Sequence, residues 1–320
     1  MQSQIGLVVI YSFLISVIFC PVFIKISHQL RFKQHIRTVG PVGHLTKTGT
    51  PTMGGLVFLA AGFLPVIIIG NELTAVFYSC LFVTLANAVI GGIDDYGKIK
   101  RGVSLGLKAR SKIIGQVAIT IILTIFLINI GHDTFIEIPF TDVVFDLGVF
   151  YPLFLFLMIA GATNAVNLTD GIDGLAGGVS VIALSSFLVL AVAKGMPEVA
   201  LFCGGLIGAC LGFLLFNLHP AKLFMGDVGS LALGSALAIA AIFTKSELLL
   251  VIIGVVFVVE TLSVIVQVMG YRFAGKRFLL MSPLHHHFEL KGWSEWKIVT
   301  GFWGISLIAA IVSLWEAGVF

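Results

Sequence analysis

Charge is the scarcest commodity in this 320-residue chain. Only 11% of residues are Asp, Glu, Lys or Arg, against 58% hydrophobic, where a soluble domain carries about a quarter charged residues. Too few charges remain to coat a water-facing surface, and the mean hydropathy of +1.09 agrees. A soluble globular protein, a disordered chain and a basic nucleic-acid binder are excluded, the last also by a net charge of only +3. Cysteine is nearly absent. Cys20, Cys80, Cys203 and Cys210 each sit inside an apolar run, none in a Cys-x-x-Cys pair, which excludes a disulfide framework and a cysteine zinc site. No basic residue precedes Lys25, so the first apolar run lacks the positive start of a secretory signal and reads as a retained helix. The apolar stretches do not alternate with polar residues, which excludes an outer-membrane barrel.

What is present is a series of ten apolar runs, near 5–24, 53–70, 75–93, 113–131, 147–166, 179–193, 200–216, 228–244, 248–269 and 298–315. Most are long enough to cross a hydrocarbon core of about 30 Å as helices. Between them charge is sorted. The connections 25–52, 94–112, 217–227 and 270–297 hold every Lys and Arg except Lys194 and Lys245. In a ten-helix chain these four connections share one side, which the positive-inside rule makes cytoplasmic. An even helix count then places both termini outside. The opposite side carries Asp133, Glu137, Asp142 and Asp146, in a segment (132–146) whose apolar residues flank a Pro-Phe-Thr-Asp turn, the pattern of a small external hairpin. No linker divides the chain, so 1–320 reads as one polytopic, all-α membrane domain.

Four constellations of polar residues mark the basic side. Gly91-Gly-Ile-Asp94-Asp95-Tyr-Gly-Lys98 ends the third run. Asp94 and Lys98 share a helix face, whereas adjacent Asp94 and Asp95 diverge by about 100°, too far to chelate one ion symmetrically. A metal or base role stands here beside a plain ion pair at a helix end. Asn164-Ala-Val-Asn167-Leu-Thr-Asp170-Gly-Ile-Asp173-Gly makes one polar stripe if helical, but its glycines favour a break that exposes backbone N–H groups to a nucleotide. Asn217-Leu-His-Pro-Ala-Lys222-Leu-Phe224-Met-Gly-Asp227 opens the eighth run with a carboxylate able to cap a helix or hold Mg2+. Met281-Ser-Pro-Leu-His285-His286-His287-Phe-Glu289 places three histidines in the last basic connection, where an extended chain would put His285 and His287 on one face. Glu260, inside the ninth run, reads as a partner for a neighbouring helix as readily as a functional acid. A transporter would gather its polar groups near the midplane. Here they collect at one face, which favours an enzyme joining a lipid head group to a soluble co-substrate through Mg2+-assisted phosphoryl chemistry.

Lys47-Thr-Gly-Thr-Pro-Thr52-Met-Gly-Gly, Asp94-Asp95-x-x-Lys98, Asn167-Leu-Thr-Asp170-Gly-Ile-Asp173-Gly, Phe224-Met-Gly-Asp227-x-Gly-Ser and Ser282-Pro-Leu-His285-His286-His287-Phe-Glu, in that order, resemble the motifs of the phospho-N-acetylmuramoyl-pentapeptide transferases. These belong to the polyprenyl-phosphate sugar-1-phosphate transferases. The resemblance implies ten membrane helices, a homodimer, a cytoplasmic cleft in the bacterial cytoplasmic membrane and a Mg2+ requirement. It implies transfer of phospho-N-acetylmuramoyl-pentapeptide from its UDP donor to undecaprenyl phosphate, giving lipid I and UMP. It further implies Asp227 as metal ligand with Asp94 beside it, and Asp94 as candidate base next to Asp95. Lys98 and His286 join these as catalytic groups. Lys47, Thr52, Asn167, Asp170, Asp173, Asn217 and Phe224 fall around the nucleotide, with Lys112, His285 and His287 on the diphosphate or sugar. A related UDP-N-acetylglucosamine transferase and a carrier of lipid-linked sugars are the alternative readings.

Overall fold

The computed structural model describes residues 2–30, 49–70, 73–103 and 106–319. Each apolar run becomes a helix. They are α1 (Gln2–Leu30), α2 (Gly55–Ile69), α3 (Ala75–Arg101), α4 (Ala109–Asn129), α5 (Tyr151–Thr169), α6 (Leu175–Ala193), α7 (Pro197–Asn217) and α8 (Gly226–Phe243), then α9 (Leu249–Ile253) with α10 (Val255–Ala274), the short α11 (Leu284–Leu290), and α12 (Glu295–Glu316). Among the described residues, nine helices are long and apolar enough to cross a membrane, and the chain is a multi-pass membrane protein. The second run forms the 15-residue α2, about 22 Å long at 1.5 Å per residue.

Helix ends follow local chemistry. Thr74 accepts the N–H of Val76 at the start of α3, and Ser294 that of Lys297 at the start of α12. Pro197 opens α7, where its missing N–H has no intrahelical partner to lose. The third helix runs past the apolar stretch to Gly102, left-handed at φ 63°, with Lys98, Lys100 and Arg101 in its last turn. Cations there oppose the negative end of the helix dipole. Asp94 and Asp95 thus sit on α3, with Asp94 and Lys98 on one face of it as expected.

The centre of the bundle is α8, buried without interruption from Val228 to Phe243. It packs on α3 and α5, while α7 packs on α1, α2 and α6. Small side chains along α8 let its neighbours approach closely, the way membrane helices gain packing contact. Position 91 is the tightest case: a Cβ there would overlap the backbone carbonyl of Asp227. Gly91 therefore lets the α3 backbone touch the start of α8.

At the far end of α4, 132–146 forms the expected hairpin. Phe135–Glu137 pairs antiparallel with Val144–Asp146, Ile136 opposite Phe145. His132 Nε2 lies 3.2 Å from Tyr151 Oη, which donates to Glu247 at 2.8 Å. Burial first, then the charge of Lys245, lowers the His132 pKa to about 4.

Candidate functional site

The close approach at Gly91 brings the acids of α3 onto the first turn of α8. Asp94, Asp95 and Asp227 offer carboxylate oxygens all within 4.8 Å of one another. Their divergence on α3 is resolved by different partners. The Asp95 carboxylate accepts the backbone N–H of Val228 at 3.0 Å, so the capping considered for Asp227 falls to Asp95, reaching across from another helix. Asp94 accepts the N–H of Leu107 at 2.6 Å from the chain entering α4. Asp227 is left as the most accessible of the three.

Two lysines bind the acids together. Lys98 Nζ lies 2.6 Å from Asp94, 3.0 Å from Asp227 and 3.7 Å from Asp95. Lys112 on α4 lies 2.7 Å from Asp227 and 3.2 Å from Asp94. Asn167, near the end of α5, donates to Asp227 at 3.1 Å and to Ser230 at 2.8 Å. Four helices thus meet at one carboxylate. Thr52 is buried beside them: a Cβ at Gly226 would lie 3.1 Å from its hydroxyl.

The Asn167–Asp173 segment breaks as its glycines imply. The α5 helix ends at Thr169 and α6 begins at Leu175. Asp170 follows the break. Burial, then the charges of Asp227, Asp95 and Asp173, raises its pKa to about 8. Asn217 is buried with both ends of its amide engaged, Oδ1 by the N–H of Gly174 at 3.1 Å and Nδ2 by the carbonyl of Leu223 at 2.9 Å. It braces the break to the strand-like stretch before α8, which is itself held by Phe224 N to Pro51 O (2.9 Å) and Gly54 N to Phe224 O (2.8 Å). Asp173 turns away from the carboxylate centre. Its Oδ2 lies 3.0 Å from His219 Nδ1 and accepts the N–H of Ala221 at 3.0 Å, while Glu295 comes within 3.5 Å of the same histidine.

The histidines do not form an extended run. Pro283 precedes the short helix α11, a favourable start for a helix, and His285, His286 and His287 occupy successive positions around it. His285 is fully buried, which leaves it no surface for the expected donor contact. His286 and Glu289 share a face at 2.6 Å, and His287 Nδ1 accepts the N–H of Leu280 at 3.1 Å.

Residues 77–245 match the family model of glycosyl transferase family 4, and residues 47–59 match phospho-N-acetylmuramoyl-pentapeptide-transferase signature 1. The phospho-N-acetylmuramoyl-pentapeptide-transferase of Shouchella clausii (strain KSM-K16) is 50% identical over 311 residues, 96% of each chain. Those of Geobacillus sp. (strain WCH70) and Bacillus pumilus (strain SAFR-032) are 48% and 47% identical over 318 residues, 98% of each chain. The chain belongs to the phospho-N-acetylmuramoyl-pentapeptide-transferase family. The resemblance carried by five motifs is thereby borne out over nearly the full length.

Of the residues singled out in the transferase motifs, Asp94, Asp95, Lys98, Lys112, Asn167 and Asp227 gather at one point, with Thr52 close by. Lys47 lies outside the described residues. Asn164 points its amide back to Ala160 O and is exposed, so it leaves the polar stripe. Sequence reasoning passed over Ser230, His219 and Glu295. Ser230 stood in plain view in the Gly-Asp-x-Gly-Ser motif, one helical turn beyond Asp227.

Proposed function

We propose that this chain transfers phospho-N-acetylmuramoyl-pentapeptide from UDP to undecaprenyl phosphate, forming lipid I and releasing UMP. It acts from the cytoplasmic face of the bacterial cytoplasmic membrane as a homodimer of one-domain chains. The observation that carries this is the meeting of Asp94, Asp95, Asp227, Lys98 and Lys112 at the joined ends of α3, α4 and α8, in a chain about half identical to enzymes of that name.

Three convergent carboxylates supply the hard oxygen donors that suit Mg2+. Asp227, the most accessible, with Asp94 would hold the ion, which when bound supplies charge neutralisation at the phosphoryl oxygens. The chain's own groups do the rest. Attack of the lipid phosphate oxygen on the sugar-linked phosphorus brings anions together. Lys98 and Lys112 offset that repulsion and stabilise the charge of the transition state. The new P–O bond forms to the lipid phosphate, the bond to the bridging oxygen breaks, and the electron pair leaves with UMP. Asp94 is the candidate acceptor of any proton on the attacking phosphate. Asp95 acts through α8 by fixing where Asp227 stands. The uracil stacks on Phe224, and Asp170 reads its polar edge, with Lys47, Asn217 and Asp173 shaping the nucleotide end. His286 and His287 face the diphosphate and sugar, which favours the muramoyl donor over UDP-N-acetylglucosamine.

The test is UMP release by purified protein. Release from UDP-N-acetylmuramoyl-pentapeptide that requires both polyprenyl phosphate and Mg2+ supports the reading. Equal turnover of UDP-N-acetylglucosamine, or no release at all, overturns it.

A further inference from the structure

Glu260 lies on α10 with no exposed surface, and a buried carboxylate among membrane helices is costly unless it is paired. Among the described residues its carboxylate meets one partner, His285. Both carboxylate oxygens face the backbone N–H of His285, at 3.2 and 3.4 Å. Oε2 also lies 3.2 Å from His285 Nδ1, in ionic range though out of line for a hydrogen bond. On the ring's other side, Nε2 rests on Gly171, where a Cβ would overlap it. Only a glycine lets the imidazole lie against the Asp170–Gly171 turn. The His285 ring then meets the His286 ring edge-on, centroids 4.2 Å apart, and His286 is held by Glu289. The buried acid, the buried imidazole and the turn thus form one stack from α10 to the end of α5.

We propose that Glu260 is a positioning residue for the transfer: acting through His285, it fixes the His286–Glu289 helix against the Asp170–Gly171 turn without touching substrate. This rests on the activity proposed above. The hydrogen bonds from the His285 N–H to the carboxylate fix the start of α11 on α10, and the imidazole is confined between Glu260 Oε2 and Gly171. The functional segments joined in this way, 170–171 and 285–289, are more than a hundred residues apart in sequence.

A double-mutant cycle on the full chain in detergent tests this. Glu260→Ala and His285→Ala should each lower kcat roughly tenfold to a hundredfold with donor KM changed by less than about threefold, as misplaced but intact machinery does. The double variant should be no slower than His285→Ala alone. Glu260→Gln, which still accepts the His285 N–H, should recover part of kcat and carries the cycle should the alanine variant not fold. Additive losses in the double variant overturn the proposal, as does an unchanged kcat in Glu260→Ala. Absence of UMP release by the unmodified protein would instead overturn the proposed activity. The same cycle read by thermal unfolding would then decide the Glu260–His285 coupling, additivity again counting against it.

Discussion

Asp95 on α3 closes the start of α8 by accepting the N–H of Val228 at 3.0 Å. A side chain from one membrane helix thus serves as the cap of another. That N–H is buried, so truncating Asp95 strips it of this acceptor. Asp95→Ala should cost about 1–3 kcal/mol of stability, and Asp95→Asn, which keeps an acceptor, clearly less. Thermal unfolding in detergent reads the difference, and equal midpoints for both variants would show that the cap does not matter.

Asp227→Asn keeps the size of the side chain and leaves the cap of α8 to Asp95, so folding should survive. It removes the accessible charge of the carboxylate cluster. Mg2+-dependent UMP release should fall by at least about a hundredfold, and Mn2+ binding, followed separately, should weaken. Undiminished Mn2+ binding would move the metal to Asp94 and Asp95.

His286→Ala and His287→Ala should each lower turnover by roughly tenfold or more while UMP still binds, because the proposed nucleotide end of the site lies on other elements. Unchanged turnover in both variants would remove α11 from the reaction.

His132 carries a pH signature. Its pKa falls from 6.5 to about 4 on folding, so the folded protein resists a proton that the unfolded chain accepts. The stability linked to it is complete above about pH 6.5 and is lost as pH falls towards 4. Comparing unfolding midpoints at about pH 7 and about pH 4.5, His132→Asn should show a smaller drop than the unmodified protein. An equal drop would assign the acid sensitivity elsewhere.

Sidedness is open to labelling. All four native cysteines are buried, which gives a quiet background for a single cysteine placed beside His286. An impermeant thiol reagent added outside intact cells should not reach it, and labelling there would invert the proposed topology.

The membrane helices were legible because nothing but burial in lipid or protein explains uninterrupted apolar runs, and the Pro-Phe-Thr-Asp turn announced the hairpin. The end of α3 was not. Polarity returns at Asp94, yet the helix continues to Gly102 because its last turn suits lysines and arginine. The helix through the histidines was not legible either, since seven residues are too few for a helical period to register. The carboxylates themselves were found, but not their division of labour. Asp95 to Val228 spans 133 positions, and Asp173, His219 and Glu295 come from three separate connections. Pairings of that range depend on how helices cross, which local pattern does not contain.

The Lys98 and Lys112 contacts have a thermodynamic consequence. Both ammoniums already lie against carboxylates, so a phosphate that draws one away leaves the acids short of positive charge, and a cation arriving among the acids competes with the lysines. Arrival of one kind of charge thus prepares the vacancy for the other. Cation and diphosphate should each bind feebly alone and tightly together, with a coupling that is the same whichever comes first.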